Sequence, residues 1–439
     1  MPRPTPLQPT PSRLAAYPTP RPAADLTLER PGDARAASPV RESPQAPERA
    51  QAQERAQAQE RAQQGVPDHR ADSRPGIRPG RTPEPPAGAL ASWRHDLAFP
   101  GPGRTSRAPD APGRPSRTAM ALGAVAGLAV GAALVNGARA RRAEHENPPP
   151  GRFMRVAGTR LHYLDRGPLG RDLDRHGPDV LLLHGNGAMV EDFLASGLFG
   201  RLARRHRTVA VDRPGFGHSP RPRRRLWTVA AQADAMAEAI VRLGLMRPVV
   251  VGHSWGTLVA LSLALRHPDL VGGLVLASGY YYPEARLDVP LLSPPALPVL
   301  GDLMVHTVSP PLTRAMLPRI LAKIFAPVPV PPRFLEQFPI DMALRPSQLR
   351  ASAEDNAMMT FEAARLSRAY GKLELPTVVM HGDGDRLIGL DRHAVRLAQA
   401  IPGAELEVLP FVGHMLHYAR PDLVERAVDR VARRMREGG

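Results

Sequence analysis

An α/β fold built on a mostly parallel sheet, with helices on both faces, is what this sequence predicts, on three observations. From residue 151 onward, short runs of unbroken apolar residues recur. They alternate with longer helical patterns, and several end in turns that contain Gly or Asp. Strands sheltered by helices above and below read as continuous apolar runs rather than as an alternation.

The elements follow in order. Phe153 to Leu164 reads as an opening hairpin around Ala157-Gly158-Thr159. Val180 to His184 is a buried strand breaking into the glycine-flanked loop His184-Gly185-Asn186-Gly187, and Thr208 to Val211 is the next strand. Trp227 to Leu243 is a helix for which Thr228 is the cap, since a hydroxyl there satisfies an otherwise orphaned amide. Pro248 to Val251 leads into Gly252-His253-Ser254-Trp255-Gly256, followed by a buried helical run closed by Arg266-His267-Pro268. Gly273 to Ser278 and Pro376 to Gly382 are further buried strands, Ala404 to Pro410 is an alternating one, and Tyr418 to Arg434 closes the chain as a helix. One interval, 279–375, breaks the alternation; it is rich in proline and carries apolar residues such as Leu291, Leu292, Phe334 and Phe338.

A strand running into G-x-S-x-G and then a helix is a nucleophile elbow, in which the glycines allow a turn tight enough to expose the serine hydroxyl. A serine hydroxyl needs a base to take its proton and an acid to orient that base. Asp385, after the strand at 376–382, and His414, after the strand at 404–410, supply these in the order serine, acid, histidine expected for this arrangement. Asp383 is the rival acid, and the spacing Gly382-x-x-Asp385 favours the later one. His184 comes too early in that order to be the base and reads as a brace for its loop.

The elbow, the His184-Gly185 loop and the turn Asp212-Arg213-Pro214-Gly215-Phe216-Gly217-His218-Ser219, which is similar to a D-x-P-G-x-G-x-S motif, make 151–439 resemble the α/β-hydrolase fold family. The resemblance implies a helical cap at 279–375 and an oxyanion hole from the backbone amides of Asn186 and Trp255. It also implies that no cofactor is required. Tyr280, Tyr281 and Phe216 are expected to contact a lipophilic substrate. Asn186 and Trp255 also resemble haloalkane dehalogenases and epoxide hydrolases, but those use an aspartate nucleophile where this chain has Ser254. That difference favours acyl transfer to water on an ester or lactone. The elbow is close to the G-G-S-W-G of proline iminopeptidases, which need cap acids; Glu336, Asp341, Glu354 and Asp355 are candidates. Carbon–carbon hydrolysis and peroxidase-type chemistry use the same triad, and a non-catalytic ligand-binding homologue is the reading from a different class.

Residues 1–117 hold 23 of the 51 prolines and no sustained apolar periodicity, so the segment is expected to be disordered. The formal charge of +16 is carried mostly by arginine and spread widely, with no nucleic-acid-binding module. From Thr118 to Ala138 no charge appears, and a helix of that length spans about 31 Å, close to the hydrocarbon thickness of a bilayer. It is expected to anchor the chain as a single pass. Arg139, Arg141 and Arg142 would place the catalytic domain at the cytoplasmic face, although the basic arm leaves the orientation open. The chain has no cysteine, which excludes disulfides and thiolate metal sites, and its histidines show no metal-ligand spacing, so no metal is expected. Oligomeric state is not legible in the sequence.

Overall fold

The computed structural model describes residues 116–168, 177–285 and 292–438. The proline- and arginine-rich arm, save its last two positions, and Leu291 lie outside the described residues. Strands β1 (Arg152–Val156) and β2 (Thr159–Arg166) form the opening hairpin, whose Ala157-Gly158 corner has φ of 50° and 75°. Positive φ at both corner residues matches the twist of the flanking strands. Then come β3 (Val180–Leu183), β4 (Thr208–Val211), β5 (Val249–His253), β6 (Gly273–Ala277), β7 (Thr377–Gly382) and β8 (Glu405–Leu409). Among the described residues they make one sheet, in the order β1-β2-β4-β3-β5-β6-β7-β8. Only β2 runs antiparallel to its neighbours; from β4 to β8 every pairing is parallel. The parallel register sets Leu183 beside Gly252, His253 beside Ala277, and Gly382 beside Leu409. The loops leaving these carboxyl ends therefore share one rim.

Helices α1 (Arg117–Glu146), α2 (Val190–Ala195), α3 (Leu198–Leu202), α4 (Val229–Leu243) and α5 (Trp255–Arg266) precede the cap. The cap carries α6 (Leu300–His306), α7 (Ser309–Phe325), α8 (Pro332–Gln337), α9 (Ile340–Ala343) and α10 (Pro346–Leu366). After it come α11 (Arg396–Ala400), α12 (Leu416–Ala419) and α13 (Pro421–Glu437). Alternate strand residues feed two core layers, because successive side chains point to opposite faces. Leu181, Val250 and Leu274 pack with Met236, Ile240 and Leu258 of α4 and α5. Leu182, Val251 and Val275 pack with Phe193, Leu202 and Val428 on the other side. At the start of α4 the Ala231 N–H donates to the Thr228 hydroxyl at 3.1 Å.

Two helices differ from expectation. The closing helix is two, α12 and α13, divided at Arg420-Pro421, because proline has no N–H to continue a helix but fits its first turn. The apolar helix runs eight residues past Ala138, because its last turns find partners in the cap. Asn136 Nδ2 donates to the carbonyls of His306 (2.9 Å) and Thr307 (2.8 Å). Ala143 is buried among Phe325, Phe334 and Met342, and Glu144 pairs with Arg345 at 2.7 Å. Upstream, Leu122, Val125, Leu128 and Leu134 are 66, 65, 75 and 67% exposed. Among the described residues this is the helix long and apolar enough to cross a membrane, by length and composition.

Glu191, in the first turn of α2, carries a buried carboxylate oxygen with no hydrogen-bond partner among the described residues. Burial, reinforced by the Asp212 carboxylate, pushes its pKa up to about 8. The unfolded chain ionises this group near its ordinary 4.5, so it subtracts from stability as pH rises from there through about 8. Glu191→Gln is therefore expected to raise Tm at pH 9 by at least about 2–4 °C, the equivalent of about 1 kcal/mol in a domain of this size, and to leave it unchanged at pH 4. Calorimetry at the two pH values checks this; an equal shift at both would refute it.

Candidate active site

The β5–α5 corner is a strained turn. Ser254 sits at φ 52°, ψ −119°, where L-residues rarely lie. A Cβ on Gly252 would come within 2.8 Å of the Gly256 carbonyl, and one on Gly256 within 2.1 Å of the Leu183 carbonyl. Only glycine allows the helix to start this close to the strands. The turn lifts the Ser254 hydroxyl above the rim.

The loops after β7 and β8 bring their polar groups to the same point. The His414 Nε2 lies 3.0 Å from Ser254 Oγ, and its Nδ1 lies 2.8 Å from Asp385 Oδ2. A carboxylate only accepts, so the imidazole proton is on Nδ1 and Nε2 is free to accept from the serine hydroxyl. The other Asp385 oxygen accepts from the amides of Leu387 (2.8 Å) and Ile388 (3.1 Å). Burial alone would raise the Asp385 carboxyl, but His414, His381 and the Leu387 amide together hold it below the usual carboxylate range. Asp385 is thus ionised wherever His414 must work. The rival Asp383 is exposed and accepts from the Phe411 amide.

Among the described residues neither the Asn186 nor the Trp255 amide has a backbone acceptor, and Trp255 opens α5, where helical amides have none. The Asn186 side chain donates to Ser352 O (3.1 Å) and Asn356 Oδ1 (2.8 Å) on α10, so the cap holds this loop. The Trp255 indole N–H is buried without a partner among the described residues. His184 braces the same loop. Its Nδ1 donates to Gly185 O, its Nε2 accepts from the Arg213 amide at 3.0 Å, and burial with nearby Arg213 lowers its pKa to about 4.

Above the rim lies a cavity of 460 Å³, within the range of small-molecule sites. Its floor includes Ser254, Asn186, Trp255 and His414, and its roof is cap side chains such as Leu317, Ile324, Phe334 and Phe338. No Lys or Arg lines it among the described residues. Of the three expected substrate contacts, Tyr280 lines the cavity. Tyr281 does not: its fully buried ring packs against Gly279 beside Thr257. Phe216 does not either: its fully buried ring lies 4.4 Å beneath the Arg213 guanidinium and edge-on to His184.

Two networks escape a reading of the sequence. Arg213, fully buried, donates to Asp355 (2.7 Å), Gln232 (2.8 Å), His184 O and Gly185 O (3.0 Å each). One guanidinium thereby ties the loop after β3 to the cap. Beneath the elbow, His253 donates through Nε2 to the His414 carbonyl at 3.1 Å, its ring 4.4 Å from that of His417, whose Nε2 donates to Asp192 at 2.9 Å. Burial, then His417 and His414, keep His253 neutral. Asp192, His253 and His417 also stand within 4.8 Å of one another, close enough to hold a cation. They come from three separate elements, so no sequence spacing reveals them; hydrogen bonds already engage one atom of each.

With this geometry in view, comparison with known proteins is decisive for the family. The family model described as the alpha/beta hydrolase fold matches residues 178–421. The chain belongs to the α/β-hydrolase fold family. It is 30% identical to a 2-hydroxymuconate semialdehyde hydrolase of Pseudomonas putida over 294 residues, covering 65% of this chain and 95% of that enzyme. A haloalkane dehalogenase of Mycobacterium marinum is 29% identical over 274 residues, 57% of this chain and 82% of that one. Among solved structures, a haloalkane dehalogenase from Bradyrhizobium elkani USDA94 superposes with a TM-score of 0.52 at 21% identity, covering 66% of this chain and 99% of that one. An esterase from Exiguobacterium antarcticum superposes at 0.50 with 23% identity, covering 64% and 99%. The relatives are hydrolases, and this α/β-hydrolase is an enzyme of that class.

Proposed function

We propose that this α/β-hydrolase is a membrane-tethered serine hydrolase that cleaves an ester, lactone or related acyl bond of a lipophilic, uncharged small molecule. The observation that carries the reading is the Ser254–His414–Asp385 relay opening into an apolar cavity with no Lys or Arg among its described lining residues. His414 accepts the serine proton as Oγ attacks the carbonyl, and Asp385 stabilises the imidazolium that forms. The Asn186 and Trp255 amides take the oxyanion. His414 then returns the proton to the leaving group, and a water it activates releases the acid. The segment at 118–138 serves as the tether, with the catalytic domain on the cytoplasmic side of Arg139, Arg141 and Arg142. A fluorophosphonate probe is expected to label the chain in the membrane fraction, and Ser254→Ala to abolish the label. Labelling that survives the substitution would overturn the assignment; absence of labelling in the native chain would favour a non-catalytic ligand-binding role.

The Pseudomonas relative favours one alternative, hydrolysis of a carbon–carbon bond by the same groups. A cavity without Lys or Arg among the described residues disfavours an anionic substrate, so neutral esters should turn over faster than a carboxylated dienone. The iminopeptidase reading loses support, because no candidate cap acid lines the cavity. Asp355 and Glu354 pair with Arg213 and Arg221, Asp341 with Arg314, and Glu336 is exposed.

A further inference from the structure

The outer surface of the cap is unusually apolar where α1 leaves the domain. Leu300 and Leu303 of α6 are 51 and 54% exposed, and Val308 at the corner before α7 is 53% exposed. On α7, Leu312, Met316 and Ile320 recur every fourth residue, a single stripe, and remain 58, 38 and 37% exposed. Those three residues also line the cavity. The cavity therefore reaches the surface along this stripe, and its mouth is apolar on the outside as well as the inside.

Two further observations identify what covers this face. Asn136, at the end of the apolar stretch of α1, is hydrogen-bonded to the carbonyls of His306 and Thr307, at the same α6–α7 corner. The helix expected to enter a bilayer thus leaves the domain beside the apolar mouth. The flanking charges on α7 are basic and the helix has no acidic residue: Arg314 is held by Asp341, while Arg319 and Lys323, both exposed, pair with no acid among the described residues. Helical positions 319 and 323 border the Leu312–Met316 stripe, the arrangement of a helix lying in a membrane interface, with apolar residues inward and basic ones at anionic headgroups. Asp302, the nearby acid on α6, is neutralised by Arg223 and Arg350.

We propose that α6, the α6–α7 corner and the outer stripe of α7 rest on the bilayer that α1 crosses, so that the cavity opens onto lipid and takes its acyl substrate from the membrane. This surface rests on the tethered-hydrolase reading and adds a second membrane contact to it. Scattered exposed leucines are ordinary on a protein surface; a patch that rims a cavity mouth and adjoins a membrane-length helix is a docking face.

The lack of cysteine allows a site-directed test on the full chain. Leu303→Cys and Val308→Cys would each carry an environment-sensitive NBD fluorophore, with Met246→Cys, 79% exposed and just before β5 at the opposite rim, as control. In vesicles of phosphatidylcholine and phosphatidylglycerol, NBD at 303 and 308 is expected to shift to the blue and be quenched by doxyl lipids, while 246 stays in water. In parallel, Leu303→Glu/Val308→Glu, outside the cavity lining, should slow hydrolysis of a long-chain ester dissolved in the bilayer about tenfold or more while leaving a short soluble ester within about twofold. A vesicle-inserted chain with 303 and 308 in water, or shielded but unquenched by lipid as a protein contact would be, overturns the surface alone. A chain that alkaline carbonate strips from the vesicles overturns the tether and the surface with it, and unchanged ester hydrolysis in Ser254→Ala separately overturns the catalytic reading.

Discussion

Replacing Ser254 with alanine is expected to lower kcat/KM for a short nitrophenyl ester by at least about 10⁴-fold with no loss of folding, the largest single effect in the molecule. The argument is geometric. Ser254 Oγ and Asp385 Oδ2 lie on either side of one imidazole, at 3.0 and 2.8 Å, so the proton has one path. Asp385→Asn should cost about 10³–10⁴-fold for a different reason. An amide that donates to Nδ1 would favour the tautomer with its proton on Nε2, the atom that must accept from serine. Because the three act as a unit, the double variant Ser254→Ala/Asp385→Asn should be no slower than Ser254→Ala alone. Independent, multiplying losses would show that the residues do not form one relay. Circular dichroism of each variant separates lost chemistry from lost fold.

The largest expected effect on stability is at Arg213. Its guanidinium and the Asp355 carboxylate are both fully buried and 2.7 Å apart, and removing one partner of such a pair typically costs about 3–5 kcal/mol because the other charge stays buried. Arg213→Met should therefore lower Tm by roughly 10 °C. Replacing both groups, Arg213→Met/Asp355→Leu, should restore a substantial part of that loss, since burying two neutral groups carries no desolvation penalty. A double variant as unstable as the sum of the single ones would mean that the pair is not the interaction that matters. Arg213 also holds the carbonyls of His184 and Gly185, directly before Asn186, so the single variant should lose activity below the temperature at which it unfolds.

The sheet and the three groups that meet at Ser254 were legible because each depends on local rules. A strand buried on both faces must be apolar along its length, so β3, β5, β6 and β7 announce themselves, and the polar residues that end them stand out. Thr228 as a cap and Gly252 and Gly256 around Ser254 belong to the same kind of evidence, since cap and turn chemistry act over a few residues. Tyr281 and Phe216 were misjudged for the opposite reason. Proximity to a strand end says that a ring is near the rim, but which way it faces depends on neighbours far along the chain: Thr257 under Tyr281, and Arg213 over Phe216.

The family resemblance, the succession of strands and the identity of nucleophile, base and acid candidates are thus properties of the sequence alone, because they are written in periodicity and in short motifs. The tertiary structure alone decided what lies opposite what. It paired Arg213 with Asp355 across 142 residues, set His253 beneath the His414 carbonyl, turned the cap acids away from the cavity, and anchored the end of α1 beside the apolar mouth. Such contacts join side chains that are distant in sequence, where no local propensity acts, and they form only when packing brings the elements together.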